Sequence, residues 1–166
     1  MESAFSTSDF CDAHRDDGGG DFRVLPARFR DFGGRVRFFG RVSTVRCFED
    51  NGQVKAAVET PGEGRVLVVD GGASLRRALL GGNLGAAAQK NGWSGVLIDG
   101  CVRDVLELRV LALGVRALGS CPRPPEKRGQ GERDVPIQVQ GVWIRPGDWL
   151  YADEDGAVIS QSMLRP

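Results

Sequence analysis

Two short apolar runs, each followed directly by glycine, constrain the fold of this chain more than any other feature. They span 65–70 and 95–99, and both end in aspartate. Such runs are too short for helices, and their valine and isoleucine content predicts strands that are covered on both faces. Between them, 83–90 predicts a helix with Asn83 as its N-cap and Asn91-Gly92 at its end. Strand-helix-strand order implies parallel pairing, so an α/β fold is expected.

Weaker patterns predict the remaining elements. The segment 6–13 predicts a short helix with a serine or threonine cap, and the alternation in 35–48 predicts a strand with a bend at Gly40. The chain is expected to form one domain over 1–166, with a parallel core and antiparallel C-terminal strands. Further predictions are loops at 16–21 and 121–133, a turn at 50–52, a helix from about Asp104 to Leu113, a strand at 115–118, strand-like alternation at 135–139, a hairpin joining 149–151 to 157–159, and a solvated hairpin turn at 153–156.

The charge balance argues against two classes of partner. Lysine and arginine number 22, as do aspartate and glutamate, so the formal net charge is zero. A chain without net charge lacks the long-range field that attracts proteins to nucleic acids or anionic lipids. No stretch approaches the roughly 18 apolar residues of a membrane helix, and residues 1–4 do not resemble the start of a signal peptide. We therefore expect a cytoplasmic protein that contacts neither nucleic acid nor membrane directly.

The inventory of reactive side chains favours carboxylate chemistry. The four cysteines form no Cys-x-x-Cys pair, and His14 is the only histidine, so a zinc site or a hydrolase triad has few possible components. A Schiff-base mechanism would need Lys55, Lys90 or Lys127, which all fall in predicted turns or at helix ends. A metal-assisted mechanism is compatible with more of the available residues.

Glycines and a helix start mark the first candidate binding loop, which contains Gly81, Gly82, Asn83 and Leu84. Ligands of open α/β sheets bind beyond the carboxyl ends of the strands. Glycines allow a ligand to approach the backbone, and the free amides at a helix start can hold a carboxylate. The alternative is an ordinary loop with an asparagine cap.

The second candidate loop, 99–107, places arginine beside aspartate at another predicted helix start. Arg103 could clamp a carboxylate or oxo group, and Asp104 offers the hard oxygen ligand that Mg²⁺ or Mn²⁺ prefers. Asp99 would add a second acidic oxygen nearby. The alternative is structural, since Asp104 and Glu107 also fit a capping box, in which the aspartate caps the helix and the glutamate reaches back to its amide.

The spacing of these residues is similar to the signature of a known family. Gly82, then twenty residues, Arg103-Asp104, two more residues and Glu107 resembles the class II 4-hydroxy-4-methyl-2-oxoglutarate aldolases, which are grouped with the regulator of ribonuclease activity A proteins. The resemblance extends over nearly the whole chain. Further similar segments are 7–12, 32–35, 45–51, 68–72 and 147–153.

The resemblance implies a fold and a reaction. The fold would be of the swivelling β/β/α type, assembled as a homotrimer or hexamer with sites near subunit boundaries. The reaction would be cleavage of 4-hydroxy-4-methyl-2-oxoglutarate into two pyruvates, with decarboxylation of oxaloacetate at the same metal site, since both proceed through a pyruvate enolate. A small oxo-acid is therefore the expected substrate, and Mg²⁺ or Mn²⁺ the expected cofactor.

The same resemblance implies roles for individual residues. Arg103 would contact the oxygens of pyruvate, and Asp104 would bind the metal. Asp99 and Glu107 would act through metal-bound water. The backbone amides around the first loop would hold the pyruvate carboxylate; these belong to Gly81, Gly82, Asn83 and Leu84.

A second function is implied by other members of the group, which bind ribonuclease E and inhibit RNA cleavage without aldol chemistry. These regulators depart from Arg-Asp at the position of Arg103-Asp104, whereas this chain keeps both residues together with Glu107. The loop 127–136 is also similar to the aldolases. Segments 45–51 and 74–79, however, are similar to the regulators, so ribonuclease E binding is the alternative prediction.

Overall fold

The computed structural model describes residues 4–166, which form a mixed α/β structure with a mostly β-sheet core. The short helices are α1 (Thr7–Ala13), α2 (Gly52–Val58), α3 (Gly82–Lys90) and α4 (Val105–Arg109). The strands are β1 (Phe22–Val24), β2 (Arg30–Asp31), β3 (Phe38–Arg46), β4 (Val66–Leu80), β5 (Gly95–Val102), β6 (Gly114–Ser120), β7 (Glu132–Arg133), β8 (Ile137–Val139), β9 (Val142–Ile144), β10 (Trp149–Asp153) and β11 (Gly156–Ser160).

A parallel sheet forms the centre of the molecule, as the strand-helix-strand pattern predicts. Strands β3, β4, β5 and β6 pair in parallel, with Val45 opposite Val69 and Val69 opposite Ile98. On the β3 side, β10, β11 and β1 extend the sheet by antiparallel pairing, and β2 closes the other edge. The predicted C-terminal hairpin is confirmed as the β10–β11 pair.

Both faces of the central strands are covered, which explains their continuous apolar sequence. Val69 and Ile98 belong to the core cluster beneath α2, α3 and α4. Val68 and Leu97 belong to a second cluster that includes residues of β8, β9, β10 and β11. All four of these side chains are fully buried.

The central strands are longer than the sequence indicates. Predicted to end at Asp70 and Asp99, they continue to Leu80 and Val102. The pairing of β4 with β5 shifts register after Asp70, so the chain bulges and then resumes pairing. The predicted strand ends at the two aspartates are therefore wrong, and the loops that follow the strands lie farther along the chain.

Two helix predictions and one turn prediction need correction. Helix α3 begins at Gly82, with Gly81 at the N-cap position two residues before the predicted cap, so Asn83 lies inside the first turn. The predicted turn at 50–52 leads directly into α2. Helix α4 ends at Arg109, because the following residues turn to pair with the 33–35 segment, where the Arg35 amide donates to the Leu113 carbonyl. Within residues 4–166, no helix has the length and apolar character needed to cross a membrane.

Helix α1 is fixed to the C-terminal hairpin by a buried carboxylate. Ser6 caps α1 as predicted, accepting a hydrogen bond from the Asp9 amide. The Thr7 amide and hydroxyl both donate to Asp153, at 2.7 and 2.6 Å. Asp153 is only 3% exposed, so the prediction of a solvated hairpin turn at 153–156 is wrong at its first residue.

Replacing Asp153 by alanine is expected to destabilise the protein at neutral pH. Burial alone would raise the pKa of Asp153, but hydrogen bonds from Thr7 and the following amides bring the pKa below its usual value. A lowered pKa means that the ionised carboxylate stabilises the fold above about pH 4, and that this contribution is lost as the pH falls through the folded-state pKa. We expect Asp153→Ala to lower the unfolding free energy by about 2 kcal/mol at pH 7, and by less near pH 3.

Urea denaturation at the two pH values measures this effect. Glu154→Ala is the matched control, because Glu154 lies in the same turn with an exposed carboxylate. Equal stability of the wild type and Asp153→Ala at pH 7 would contradict the assignment.

Candidate functional site

The extended strands β4 and β5 bring the two candidate loops together. Leu80 and Val102 are paired at the ends of these strands, so Gly81 and Arg103 begin adjacent loops. The Arg103 amide donates to the Leu80 carbonyl at 2.9 Å, which holds one loop against the other. The glycine loop and the Arg-Asp loop therefore lie side by side.

Asp104 stabilises the start of the neighbouring helix. Its carboxylate makes no capping hydrogen bond to α4, and Oδ2 instead accepts a hydrogen bond from the Gly82 amide at 2.9 Å. The backbone of Asp104 is left-handed, with φ 58° and ψ 46°, a conformation that aspartate tolerates better than most residues. The exposed carboxylate retains a second oxygen, Oδ1, that can serve another ligand.

The capping-box alternative is therefore wrong in the form predicted. The Asp104 carboxylate accepts a hydrogen bond from an amide of α3 and none from the amides of α4. The Glu107 carboxylate lies against the Cα of Gly82, where an added Cβ would overlap Oε2 of Glu107. A Cβ on Gly81 would come within 2.6 Å of Oδ2 of Asp104. A side chain at either glycine would displace one of these carboxylates, so the two glycines allow two acidic side chains to approach the backbone at the start of α3.

A cavity of about 320 Å³ lies where these loops converge. It is lined by predicted site residues and by several that the sequence analysis did not single out for the site. The predicted ones are Gly81, Asn83, Leu84, Arg103 and Asp104; the others are Asn51, Gly52, Lys55, Ala78, Leu80 and Lys127.

The first turn of α3 offers backbone donors to this cavity. Asn83 and Leu84 line it, and no acceptor within residues 4–166 takes their amides. Amides in the first turn of a helix have no carbonyl partner inside the helix. The Gly82 amide, in contrast, is bound to Asp104, so it does not contribute to the predicted carboxylate cradle in this arrangement.

Asp99 lies away from the cavity. It follows Leu97 by two residues in β5 and so faces the same side of the sheet, where Oδ1 accepts a hydrogen bond from the Gln140 side chain at 2.8 Å. Burial raises the pKa of Asp99, although the Gln140 hydrogen bond lowers it in part. The expectation that Asp99 supplies a second acidic oxygen beside Asp104 is wrong, because β5 continues past it for three more residues.

The α2 wall of the cavity was missed because the 50–52 segment resembled a simple turn. Val54, Ala57 and Val58 have the i, i+3, i+4 spacing of an apolar helix face, which is a signal that could have predicted α2. The Asn51 side chain donates to the Leu79 carbonyl at 3.3 Å and so connects α2 to the end of β4.

The side chains available for a metal ion are few. All four cysteines are free, and residues 4–166 contain no cluster of three or more histidine, cysteine, aspartate or glutamate side chains that could hold a metal. Among the residues that line the cavity, Asp104 carries the carboxylate. A cation bound there would take most of its ligands from water and substrate, as Mg²⁺ commonly does.

Comparison with known proteins assigns the chain to a family. The family model described as "RraA-like: Aldolase/RraA" matches residues 7–159. The chain belongs to the RraA-like family. A protein of Albidiferax ferrireducens, provisionally named 4-hydroxy-4-methyl-2-oxoglutarate aldolase, is 63% identical to this RraA-like chain, with 99% of each chain covered. The resemblance to the aldolase and regulator group is thereby confirmed.

Solved structures of similar fold carry different functional names. The RNA-processing inhibitor RraA from Thermus thermophilis has a TM-score of 0.92 and 46% identity, covering 98% of this chain and 96% of that one. A protein of Geobacillus kaustophilus, named S-adenosylmethionine:2-dimethylmenaquinone methyltransferase, has a TM-score of 0.91 and 42% identity, covering 96% and 97%. Since one fold carries three functional names, the residues of the cavity must decide between activities.

Proposed function

We propose that this RraA-like protein is a divalent-metal-dependent, class II aldolase. Its proposed reaction is cleavage of 4-hydroxy-4-methyl-2-oxoglutarate to two pyruvates, with decarboxylation of oxaloacetate to pyruvate and CO₂ as a second activity. The observation that carries the proposal is that Arg103, Asp104 and the first-turn residues Asn83 and Leu84 of α3 line one cavity. The name of the 63% identical relative supports aldolase activity independently.

The start of α3 and Arg103 suit the oxo-acid group that both substrates share. The amides of Asn83 and Leu84, at the positive end of the helix dipole, can hold the C1 carboxylate. The guanidinium of Arg103 is planar and permanently charged, so it can donate to both a carboxylate oxygen and the adjacent oxo oxygen. Together these groups would orient the bond between C3 and C4 for cleavage.

Asp104 is the residue that would hold the metal. One of its oxygens is fixed by the Gly82 amide, which orients the carboxylate, and the other is free for a cation. A single carboxylate with room for water suits Mg²⁺ or Mn²⁺. When bound, such a cation would stabilise the negative charge that develops on the oxo oxygen as the carbon-carbon bond breaks.

The two reactions share one electron movement. In both, the bond between C3 and C4 breaks and its electron pair forms the enolate of pyruvate, which then takes a proton at C3. In aldol cleavage the C4 hydroxyl gives its proton to water and becomes the oxo group of the second pyruvate, while in decarboxylation C4 leaves as CO₂. Arg103 would stabilise the enolate oxygen in either case, because its charge is already in place.

A coupled assay tests the proposed function. Purified protein is mixed with either substrate and Mg²⁺ or Mn²⁺, and pyruvate is detected through NADH oxidation by lactate dehydrogenase. We expect metal-dependent pyruvate release that stops when EDTA is added. Absence of pyruvate from both substrates with metal present would contradict the proposal.

Binding to ribonuclease E is a second candidate function. The 46% identical Thermus structure is named as an RNA-processing inhibitor, and two segments of this chain resemble the ribonuclease regulators. Those segments expose the apolar side chains of Phe48 and Leu75, at 57% and 61%. Titration of ribonuclease E with this protein tests the candidate, since complex formation and slower RNA cleavage are both expected, and the absence of both would exclude it.

A further inference from the structure

Two of the three lysines in the chain line the candidate cavity. Lys55 lies on α2 and Lys127 lies in the loop before β7, so both come from elements other than the Arg103 and Asp104 loop. Lys55 approaches Glu59 at 3.9 Å, but both side chains are more than half exposed and the pair is weak. Lys127 forms no ion pair with any residue of the described chain.

A buried carboxylate fixes the two backbone segments that carry these lysines. Asp50 is 1% exposed and accepts hydrogen bonds from the Gly52 amide at the start of α2 and from the Arg128 amide, both at 2.9 Å. The Gln53 side chain donates to the Gly129 carbonyl at 2.7 Å. Burial alone would raise the pKa of Asp50, but these amide hydrogen bonds lower it, so the carboxylate remains ionised. The lysines are therefore held beside one cavity despite their separation in the sequence.

We propose that Lys55 and Lys127 form a second anion subsite, which binds the distal carboxylate of the substrate and selects oxo-acids with two carboxylates. The inference rests on the proposed function and names its substrate class. The amides of α3 and Arg103 account for the carboxylate and oxo group at one end of such a molecule. A diacid then presents a second charge several bonds away, and two further cations border the same cavity.

The size and charge of the cavity support the binding of one carboxylate at each of two subsites. A volume of about 320 Å³ lies within the range of roughly 300–1,000 Å³ that is typical of small-molecule sites. The cavity is lined by three cationic side chains, those of Lys55, Arg103 and Lys127, and by the Asp104 carboxylate. With a divalent cation on Asp104, the site would strongly favour a dianion over a monoanion.

An equilibrium binding experiment separates this inference from catalysis. 2-Oxoglutarate has the carboxylate spacing of 4-hydroxy-4-methyl-2-oxoglutarate but lacks the hydroxyl group needed for cleavage, and 2-oxopentanoate lacks the second carboxylate. Isothermal titration with Mg²⁺ present should show that the wild type binds 2-oxoglutarate about 100-fold more tightly than 2-oxopentanoate. This difference corresponds to about tenfold for each of the two charge-assisted contacts. In the Lys55→Met, Lys127→Met double variant, the two ligands should bind with similar affinity.

Kinetics provide the second measurement. For the double variant, we expect kcat/KM for 4-hydroxy-4-methyl-2-oxoglutarate to fall about 100-fold, mainly through KM, because lost ground-state contacts raise KM. Cleavage of 4-hydroxy-4-methyl-2-oxopentanoate, which has a methyl group in place of the distal carboxylate, should stay within about twofold. Lys90→Met is the matched control, since this lysine ends α3 outside the cavity.

The outcomes distinguish the two proposals. The wild type could release no pyruvate and still bind 2-oxoglutarate more tightly than 2-oxopentanoate. If the double variant then lacks this difference in affinity, the aldolase proposal fails and the subsite inference stands. If the wild type is active but the double variant keeps its preference for diacids, the subsite inference is wrong. Equal losses with the diacid and its methyl analogue would also overturn it, because they would show a role in chemistry or folding.

Discussion

Replacing Asp104 by asparagine is expected to lower kcat/KM for pyruvate release by at least about 10³-fold while leaving the fold intact. The expectation follows from the two roles of this side chain. One oxygen accepts a hydrogen bond from the Gly82 amide, and the side-chain oxygen of asparagine can accept the same bond. Asparagine also tolerates the left-handed backbone at this position. The substitution therefore removes the charge that a cation needs and preserves the structural contact.

Asp104→Ala is the companion variant for this test. Alanine loses both the charge and the bond to Gly82, and it is less tolerant of a left-handed backbone, so we expect the unfolding free energy to fall by about 1–2 kcal/mol relative to the asparagine variant. Both substitutions should abolish activity to a similar extent. Activity of Asp104→Asn within tenfold of the wild type would show that Asp104 acts only as a cap for α3.

Arg103→Ala is expected to lower kcat/KM by about 10²- to 10³-fold, with a loss in kcat as well as a rise in KM. Arg103 would bind the carboxylate in the ground state and stabilise the enolate oxygen in the transition state, so both constants should change. Arg103→Lys keeps the charge but not the planar pair of donors, so only partial recovery is expected.

Arg109→Ala is the matched control for Arg103. Arg109 lies at the end of α4 with an exposed side chain that does not line the cavity. Steady-state kinetics with both substrates should show no change for this variant. An Arg103→Ala enzyme within threefold of the wild type would contradict a direct role for the guanidinium.

The parallel core was predictable because its signals are local. The runs that became the first third of β4 and most of β5 are short, apolar and bounded by glycine, and burial on both faces explains why no alternation appears. The extension of β4 to Leu80 was not predictable in this way. It depends on pairings such as Ser74 with Gly100 and Ala78 with Cys101, which follow register shifts set by residues distant in sequence.

In the candidate site, too, the features with local sequence signals were predictable and those that depend on distant residues were not. Arg103 and Asp104 were found because they stand together after an apolar run, in a spacing that a known family shares. The hydrogen bond of Asp104 was not predictable from the sequence. Its carboxylate accepts a hydrogen bond from the Gly82 amide of α3, although Asp104 itself precedes α4. The lysine side of the cavity was also missed, because its assembly depends on the buried Asp50 and its bonds to Gly52 and Arg128.

Exchange of the methyl protons of pyruvate with deuterium oxide shows whether this cavity forms the pyruvate enolate, because the exchange requires the enolate but neither of the proposed substrates. With Mg²⁺ or Mn²⁺ present, the wild type should exchange these protons in a time course followed by proton NMR. Asp104→Asn, or the wild type with EDTA, should leave the methyl signal unchanged. If the metal-loaded wild type shows no exchange above the protein-free rate, the cavity does not form a pyruvate enolate and the account is contradicted.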